Sequence, residues 1–487
     1  MYQLSGYASY LTVRYRFRWV FCQLDALQHC IPPNLRQYLD ELPDTLDETY
    51  DQILKGINKS QKDNAHRLLQ CLTVAVRPLL VEELAELLAF DFPASTGGIP
   101  TLKEDWRWDD EEEAVLSICS SLITIIPRRN SRVVQFSHFS VKEYLTSTRL
   151  VQSPHADISR FRIDLEPAHT VMAQSCLATL LRLDEHNDAR VSPLVEYAAE
   201  HWVEHAQFEK VSSRLRNGMD DLFDSSKPHF AAWLRVHDID ERWHVFSSYS
   251  RDSVGSPLYY AASCGFYDLA ERLITKHPKQ VNAIGGYNLF PLPAALYNGH
   301  LHVANLLYRH GAVVDVQGDD ECTPLFAASY HGQVDIIQWL LNHGADVDAC
   351  NSEGDTPLCV AAYAMQLEVV QVLFDHHADI NSRDLDDATS LYSVLVYCGS
   401  DKRLVDMVRL LLELGADPNI CTNLDGTPLH EASSQGLLEA ARLLLSRGAK
   451  VDKKNTWGET PFQLAASKGH EELTKLLVDH GAVPPSP

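Results

Sequence analysis

Two histidines and a glutamate stand in a spacing that zinc peptidases use. His201, Glu204 and His205 form the string H-x-x-E-H. Side chains four residues apart lie on one face of a helix, so two imidazoles at this spacing can bind one zinc ion. The chemistry that the string suggests is metal-assisted peptide hydrolysis.

The helical phase of this segment favours a structural role instead. At about 100° per residue, the apolar side chains of residues 194–208 cover one broad arc, and His201 and His205 lie inside it. The opposite, solvated side carries Glu196, Glu200 and Glu204. A zinc site also needs a third ligand, and no spacing fixes the nearby candidates His169, Asp184, Glu185 and His186. We interpret the histidines as packing residues and predict no metal site.

Other catalytic motifs are absent from the sequence. It contains no G-x-S-x-G, no H-E-x-x-H, no dinucleotide-binding glycine fingerprint and no phosphate loop of the form G-x-x-x-x-G-K-[ST]. We therefore expect no catalytic residues, no cofactor and no enzyme activity.

The net charge and the cysteine content limit the kinds of partner and the cellular compartment that we expect. The 487 residues carry a net charge of -24, which repels nucleic acid and anionic membranes. The 11 cysteines form no C-x-x-C pair, as expected for free thiols in a reducing compartment. No run approaches the roughly 18 apolar residues of a membrane-spanning helix. We predict a cytoplasmic or nuclear protein without a nucleic-acid or membrane partner.

The second half of the chain is built from repeats. Related segments, TPLFAASYHG, TPLCVAAYAM, TPLHEASSQG and TPFQLAASKG, begin at Thr323, Thr356, Thr427 and Thr460, and weaker copies begin at Ser256, Phe290 and Thr389. In each, the threonine can cap a helix and the proline suits its first position. A second amphipathic helix follows, and neither helix can bury its apolar face alone.

This pattern resembles the ankyrin repeat, which implies an α-solenoid of about seven units with short β-turn or hairpin tips over residues 251–487. Met365 and His377 stand where the pattern has turn glycines. The fifth unit has Ser390 in place of proline and extra residues, so we expect it to be the loosest.

Binding residues in such a stack are expected on the tips and on the exposed side of the inner helices. One inner-helix position carries Tyr297, Tyr330 and Tyr363, which predicts a line of rings across the concave face. Asp319 and Asp320, with Glu321, make one tip acidic, and Trp457 lies on the last tip. These residues predict a partner protein that is basic or has apolar anchors. Alternatively, the tyrosines only pack between helices and Trp457 only anchors its hairpin.

The first half reads as helices with one hairpin. We divide it into a helical segment (residues 1–60), a winged-helix-like domain (61–150) and a helical linker domain (151–250). The winged helix is predicted from two amphipathic helices around Arg77-Pro78, a third helix in EAVLSICSSL and the alternating hairpin LITIIPRRNSRVVQFSH. Acidic residues 109–113 open the third helix, which argues against DNA binding.

Several strings in this half resemble the arm that follows the nucleotide-binding domain in NACHT-type STAND proteins, especially fungal ones that end in ankyrin repeats. They are FRWVFCQLDAL, LPDTLDETYDQIL, RPLLVEELAELLAF and QFSHFSVKEYLTS. The resemblance covers residues 19–245 and the repeats, and it implies that His138 is the position that senses the nucleotide phosphate. The alternative is a histidine satisfied locally at a strand–helix junction. Without a phosphate loop, we expect the family's nucleotide domain to be missing from this chain.

The sequence thus predicts a mainly α protein, with a helical and winged-helix arm followed by an ankyrin solenoid. Its expected function is non-catalytic binding of a partner protein through the concave ankyrin surface. The alternative function is the regulatory, sensing half of a STAND signalling NTPase of the fungal non-self recognition or incompatibility type.

Overall fold

A computed structural model describes residues 45–93, 98–119, 121–129, 131–152, 156–184, 192–237, 239, 255–286, 290–318, 321–399 and 401–484. The chain divides into two compact units, Met1–Pro257 and Leu258–Pro487. The finer division of the first unit at residues 60 and 150 stays a prediction.

The first unit is mainly helical. Its described helices are α1 (Leu46–Gly56), α2 (Lys62–Val74), α3 (Val81–Leu88), α4 (Glu111–Cys119), α5 (Phe139–Thr146), α6 (Arg149–Gln152), α7 (Ala156–Ser159), α8 (Leu165–Leu180), α9 (Val195–Ala206), α10 (Val211–Arg214), α11 (Arg216–Leu222) and α12 (Pro228–Val236). Its strands are β1 (Leu79–Leu80), β2 (Phe90–Asp91), β3 (Thr101–Leu102), β4 (Ile123–Pro127) and β5 (Arg132–Phe136). Among the helices so described, none is long and apolar enough to cross a membrane.

Helices α2 to α4 and the β4–β5 hairpin form the predicted winged helix. In the hairpin, Ile125 pairs with Val134 in an antiparallel register. Strand β1 adds to the other side of β5, with Leu79 opposite the same Val134, so the sheet order is β1-β5-β4. The sequence did not predict β1, nor the two-residue ladder between β2 and β3, because such short strands leave no alternation to detect.

Aromatic rings fill the core behind the winged helix. The ring centroids of Trp202 on α9 and Trp233 on α12 lie 5.3 Å apart, edge to face, and Phe223 lies 5.7 Å from Trp233. The Trp233 indole donates a hydrogen bond to the carbonyl of Ala199 at 3.1 Å. Both tryptophans are fully buried, so burial of these large side chains is a major stabilising contribution here.

The H-x-x-E-H histidines belong to this core. In His205, Nδ1 lies 2.9 Å from Nδ1 of His169, and Nε2 lies 2.9 Å from the hydroxyl of Tyr197. His201 is also buried, and its ring nitrogens lie 3.4 and 3.6 Å from the carboxylates of Glu200 and Glu204. Both nitrogens of His205 have hydrogen-bonding partners within the protein, whereas the buried ring nitrogens of His201 have none among the described residues. Burial of both rings agrees with the packing role predicted from helical phase.

The described residues of the second unit form seven helix pairs. The inner helices are α13 (Pro257–Ser263), α15 (Pro291–Tyr297), α17 (Pro324–His331), α19 (Pro357–Tyr363), α21 (Ser390–Tyr397), α23 (Pro428–Gln435) and α25 (Pro461–Ser467). The outer helices are α14 (Tyr267–Lys276), α16 (Leu301–Arg309), α18 (Val334–Asn342), α20 (Leu367–Asp375), α22 (Leu404–Glu413), α24 (Leu438–Ser446) and α26 (Glu471–Asp479).

Threonine caps begin four of the described inner helices, as the sequence predicts. The hydroxyl of Thr323 accepts the N–H of Phe326 at 3.2 Å, and Thr356, Thr427 and Thr460 cap their helices in the same way. In the fifth unit, Thr389 is buried and makes no cap bond with its side chain. That missing bond removes one stabilising contact from the unit that the sequence predicts to be loosest.

A ladder of side-chain-to-backbone hydrogen bonds links each unit to the next. An Asn or Asp before each tip accepts the backbone N–H of a residue in the following unit, as for Asp315 and Asp346 at 3.0 Å. The acceptors are Asn282, Asp315, Asp348, Asn381, Asn419 and Asp452, and the donors are Val313, Asp346, Asp379, Asp417, Lys450 and Val483. We call these acceptors the Asx ladder. These acceptors were not predicted from the sequence, although they recur at one position of the repeat.

The turn at His377 provides a test of backbone strain. His377 is exposed and has φ +70°, where the equivalent Gly344 and Gly448 have φ +88° and +84°. Because a left-handed conformation costs an L-residue more than glycine, we expect His377→Gly to raise the free energy of unfolding by about 0.5–1 kcal/mol. His376→Gly is the matched control, since His376 has φ -94° and glycine there should destabilise. Urea unfolding followed by circular dichroism measures both, and destabilisation by both variants would contradict the prediction.

The buried histidines predict acid sensitivity. Burial, then the neighbouring His169 and His201, lower the pKa of His205 from 6.5 to about 3. Below pH 6.5 the unfolded chain therefore binds a proton that the folded chain does not, so stability is lost as the pH falls, by up to about 1.4 kcal/mol per pH unit from this group. His205→Gln keeps hydrogen-bonding groups without this titration. Urea unfolding at pH 7, 6 and 5 should give a shallower pH slope for the variant, and equal slopes would contradict this origin.

Candidate protein-binding surface

Three tyrosines form a row on successive inner helices. The ring centroids of Tyr330 and Tyr363 lie 6.4 Å apart at 62°, and those of Tyr363 and Tyr397 lie 6.2 Å apart at 59°. Tyr330 is 41% exposed, Tyr397 is 76% exposed, and Tyr363 between them is half-buried. We call these residues the tyrosine row. It presents a continuous aromatic surface that spans three repeats.

The predicted line ran from Tyr297 to Tyr363, whereas the tyrosine row runs from Tyr330 to Tyr397. Tyr297, the first predicted member, is half-buried, and its hydroxyl donates a hydrogen bond to the carbonyl of Pro324 in the next inner helix at 3.3 Å. This bond gives Tyr297 a part in packing between repeats. Tyr397 was not predicted, because it comes eight residues after Thr389, whereas Tyr330 and Tyr363 come seven residues after their threonines. Allowing a one-residue shift in the fifth unit would have identified it.

Carboxylates lie around the row. Burial raises the pKa of Asp355, and the negative charges of Asp384 and Glu353 act in the same direction. Burial also raises the pKa of the Tyr363 phenol, with the charge of Asp355 as a further cause. Burial likewise raises the pKa of the Tyr392 phenol in α21, and the negative charge of Glu431 is a further cause. A cation near these rings would relieve this accumulation of negative charge.

Consecutive hairpin tips are hydrogen-bonded and carry exposed apolar residues. The backbone N–H of Leu385 donates to Glu353 at 3.1 Å, and that of Thr456 donates to Leu424 at 3.1 Å. Trp457, a predicted binding residue, is 68% exposed on the last of these tips. Leu424 occupies the equivalent position one unit earlier, and both it and Leu385 are exposed. The sequence analysis did not single out these leucines, because isolated apolar residues in turns give no periodic signal.

The acidic tips are only partly described. Asp319 and Asp320 lie outside the described residues. In the tip two units further along, the side chain of Asp384 accepts the backbone N–H groups of Asp386 and Ala388, both at 2.8 Å. Asp387 lies 3.6 Å from Arg383. This tip is held in shape by its own carboxylate and keeps a net negative charge.

His138, the position implied by the STAND resemblance, caps helix α5. Its Nδ1 accepts the backbone N–H of Ser140 at 3.2 Å and lies 2.7 Å from the Ser140 hydroxyl, which is 2.8 Å from the Tyr50 hydroxyl. Because Nδ1 accepts a hydrogen bond, the proton of the neutral ring lies on Nε2. The structure therefore supports the local capping role, which the sequence analysis left open beside nucleotide sensing.

Within the ranges given for the structure, no three His, Cys, Asp or Glu side chains converge in a way that holds a metal ion. In the second unit, the groups available for binding are exposed rings, apolar tip residues and carboxylates on a rigid helical frame.

Comparisons with known proteins agree with this architecture. Residues 292–384 and 395–486 match the family described as ankyrin repeats (3 copies). Residues 50–157 match the family described as GPI inositol-deacylase, winged helix domain. The chain is also similar to the azaphilone pigments biosynthesis cluster protein L of Monascus ruber, with 32% identity over 292 residues. That match covers 55% of this chain and 60% of the relative, so the chain spans less than two thirds of the relative's length. The chain thus carries a winged-helix domain of the GPI inositol-deacylase type followed by ankyrin repeats.

Proposed function

We propose that the chain is a non-catalytic interaction protein that binds a partner protein through the inner-helix face of its ankyrin repeats. The observation that carries this proposal is the tyrosine row, in which three successive repeats present contacting rings. Ankyrin repeats imply protein partners in general. Tyrosine is enriched in binding hot spots because a ring buries much area while losing little side-chain entropy.

The surroundings of the row indicate the partner's chemistry. Asp355 supplies negative charge that acts on Tyr363, and Asp384 and Glu353 supply negative charge that acts on Asp355. The apolar tips at Leu424 and Trp457 supply further contact area. A partner segment that combines basic side chains with apolar anchors matches both features. Asp319 and Asp320 belong to the same proposed surface. The same negative charge disfavours nucleic acid and anionic membranes as partners.

The alternative is a regulatory role in a STAND-type switch. The winged-helix match over residues 50–157 favours it, because that domain type accompanies NACHT modules in the family that the sequence resembles. In this case His138 would respond to a nucleotide held by another domain, and the ankyrin face would be the sensor. The Monascus ruber relative is named for a biosynthesis cluster. We propose that the present chain has a non-catalytic role in whichever process it serves.

The tyrosine row is tested by the double variant Tyr330→Ala/Tyr397→Ala in the full chain. If each tyrosine is a hot spot worth about 2 kcal/mol, affinity for the partner should fall by a factor of several hundred. Affinity capture from cells, quantified by mass spectrometry, measures the loss. Tyr267→Ala is the control, since Tyr267 is similarly exposed but lies on an outer helix.

Thermal unfolding must accompany the capture. Exposed substitutions of this kind usually change stability by no more than about 0.5 kcal/mol, so we expect similar melting temperatures for all three proteins. A double variant that folds normally and retains every partner of the wild type would contradict binding through this face.

Nucleotide titration separates the two functions. Because the sequence has no phosphate loop, we expect isothermal titration calorimetry with MgATP, MgADP or MgGTP to show no tight binding to this chain. Saturable binding that His138→Ala weakens would contradict the interaction-only function. A full-length transcript that encodes a phosphate loop in frame before Met1 would favour the alternative.

A further inference from the structure

We propose that a second docking surface lies on the winged-helix domain, where exposed Trp106 and Trp108 receive the cationic side chains of a basic peptide segment of a partner protein. We define residues 103–110, KEDWRWDD, as the tryptophan strap. The strap lies between β3 and α4. This surface is separate from the inner-helix face and does not depend on it.

Arg107 anchors the strap to the folded domain. Its Nε and Nη2 donate to the two oxygens of Glu86 at 2.8 and 2.5 Å. Glu86 is buried and also accepts the hydroxyl of Ser192 at 2.9 Å. Arg107 follows the short 3-10 helix Glu104–Trp106 and has backbone angles of φ -68° and ψ 139°. The ion pair therefore fixes the middle of the strap, while Trp106 and Trp108 on either side of it stay exposed.

Both rings remain accessible although the same unit buries its other described tryptophans. Trp106 is 47% exposed and Trp108 is 44% exposed, whereas Trp202 and Trp233 are fully buried. Two large apolar side chains held outward by a fixed backbone are an expected feature of an interaction site. Their separation of two residues lets them contact alternate side chains of an extended peptide.

The charge around the rings selects a cationic partner. Residues 103–113 contain seven acidic and two basic residues, KEDWRWDDEEE. Both bases are engaged within the protein, Lys103 with Asp91 at 3.6 Å and Arg107 with Glu86. Asp105 and Asp109 are exposed and form no ion pair within the described ranges. Arginine and lysine bind over tryptophan rings through cation–π attraction, and the neighbouring carboxylates add a Coulombic term. Nucleic acid and anionic lipid would be repelled.

Defined peptides test this surface. The probes are fluorescein-labelled acetyl-Gly-Arg-Gly-Arg-Gly-Arg-Gly-amide and the same peptide with citrulline, which keeps the shape of arginine without its charge. Fluorescence anisotropy with the full chain should show binding of the arginine peptide only. Trp106→Ala/Trp108→Ala should weaken that binding by about tenfold, and Trp106→Phe/Trp108→Phe should weaken it less, since phenylalanine is a poorer cation–π partner.

Matched controls separate this site from general attraction to an acidic protein. Asp105→Asn/Asp109→Asn should weaken the arginine peptide, whereas Glu471→Gln/Glu472→Gln, the same charge change at the start of α26, should leave its affinity within about twofold. Tyr267→Ala, which removes an exposed ring from an outer ankyrin helix, should also have no effect. Circular dichroism confirms that each variant is folded.

Several results would overturn the proposal. They are equal binding of the arginine and citrulline peptides, equal effects of the two charge-neutralising variants, and unchanged binding by the folded Trp106→Ala/Trp108→Ala variant. Light scattering tests for a second copy of the chain as the occupant. A concentration-dependent dimer that this variant abolishes would assign the strap to self-association and likewise overturn docking of a separate partner.

Discussion

Stacking between neighbouring helix pairs is the constraint on which the ankyrin unit depends. Each pair has one apolar face that it cannot cover by itself, so each repeat is completed by the next. The Asx ladder makes the same dependence directional, because a side chain of one unit accepts a backbone N–H of the following one. At the tips, backbone bonds such as that from Leu385 to Glu353 repeat the connection. Contacts between neighbours thus hold the frame and leave the exposed inner-helix positions available for binding.

The first unit depends on a different feature, namely charged side chains that are buried within its winged helix. Glu83 and Glu86 on α3 are both buried, and each receives two hydrogen bonds from an arginine, Arg77 or Arg107. A buried carboxylate is costly unless it is paired and fully hydrogen-bonded, which these bidentate contacts achieve. The pair at Glu86 also anchors the tryptophan strap to α3 through Arg107.

The two proposed surfaces use one kind of chemistry. In each, aromatic rings are exposed among carboxylates, with Tyr330, Tyr363 and Tyr397 in one unit and Trp106 and Trp108 in the other. Rings supply contact area and attract cations, while the carboxylates steer basic partners by long-range attraction that salt screens. The net charge of -24 adds to this attraction, because the chain as a whole attracts basic partners and repels acidic ones. On these two proposals, partners are distinguished first by charge and then by the fit of apolar and cationic anchors.

Local and periodic features of the fold could be predicted from the sequence. The repeat spacing predicted the helix pairs, Thr323 and its equivalents predicted the caps, and the helical phase placed His201 and His205 on a buried face. These features follow from interactions within a few residues or from exact repetition, which a single sequence displays directly.

Only the tertiary structure decided which of these residues face outward and what they contact. It paired His205 with His169 and Tyr197, joined the Tyr297 hydroxyl to the Pro324 carbonyl of the next repeat and brought Tyr397 into the tyrosine row. It also showed that Arg107, between the exposed Trp106 and Trp108, is paired with Glu86, about twenty residues away in the chain. The physical reason is that the exposure of a side chain and the contacts it makes depend on segments that are distant in the chain. The local spacing of residues does not show which distant segments come together.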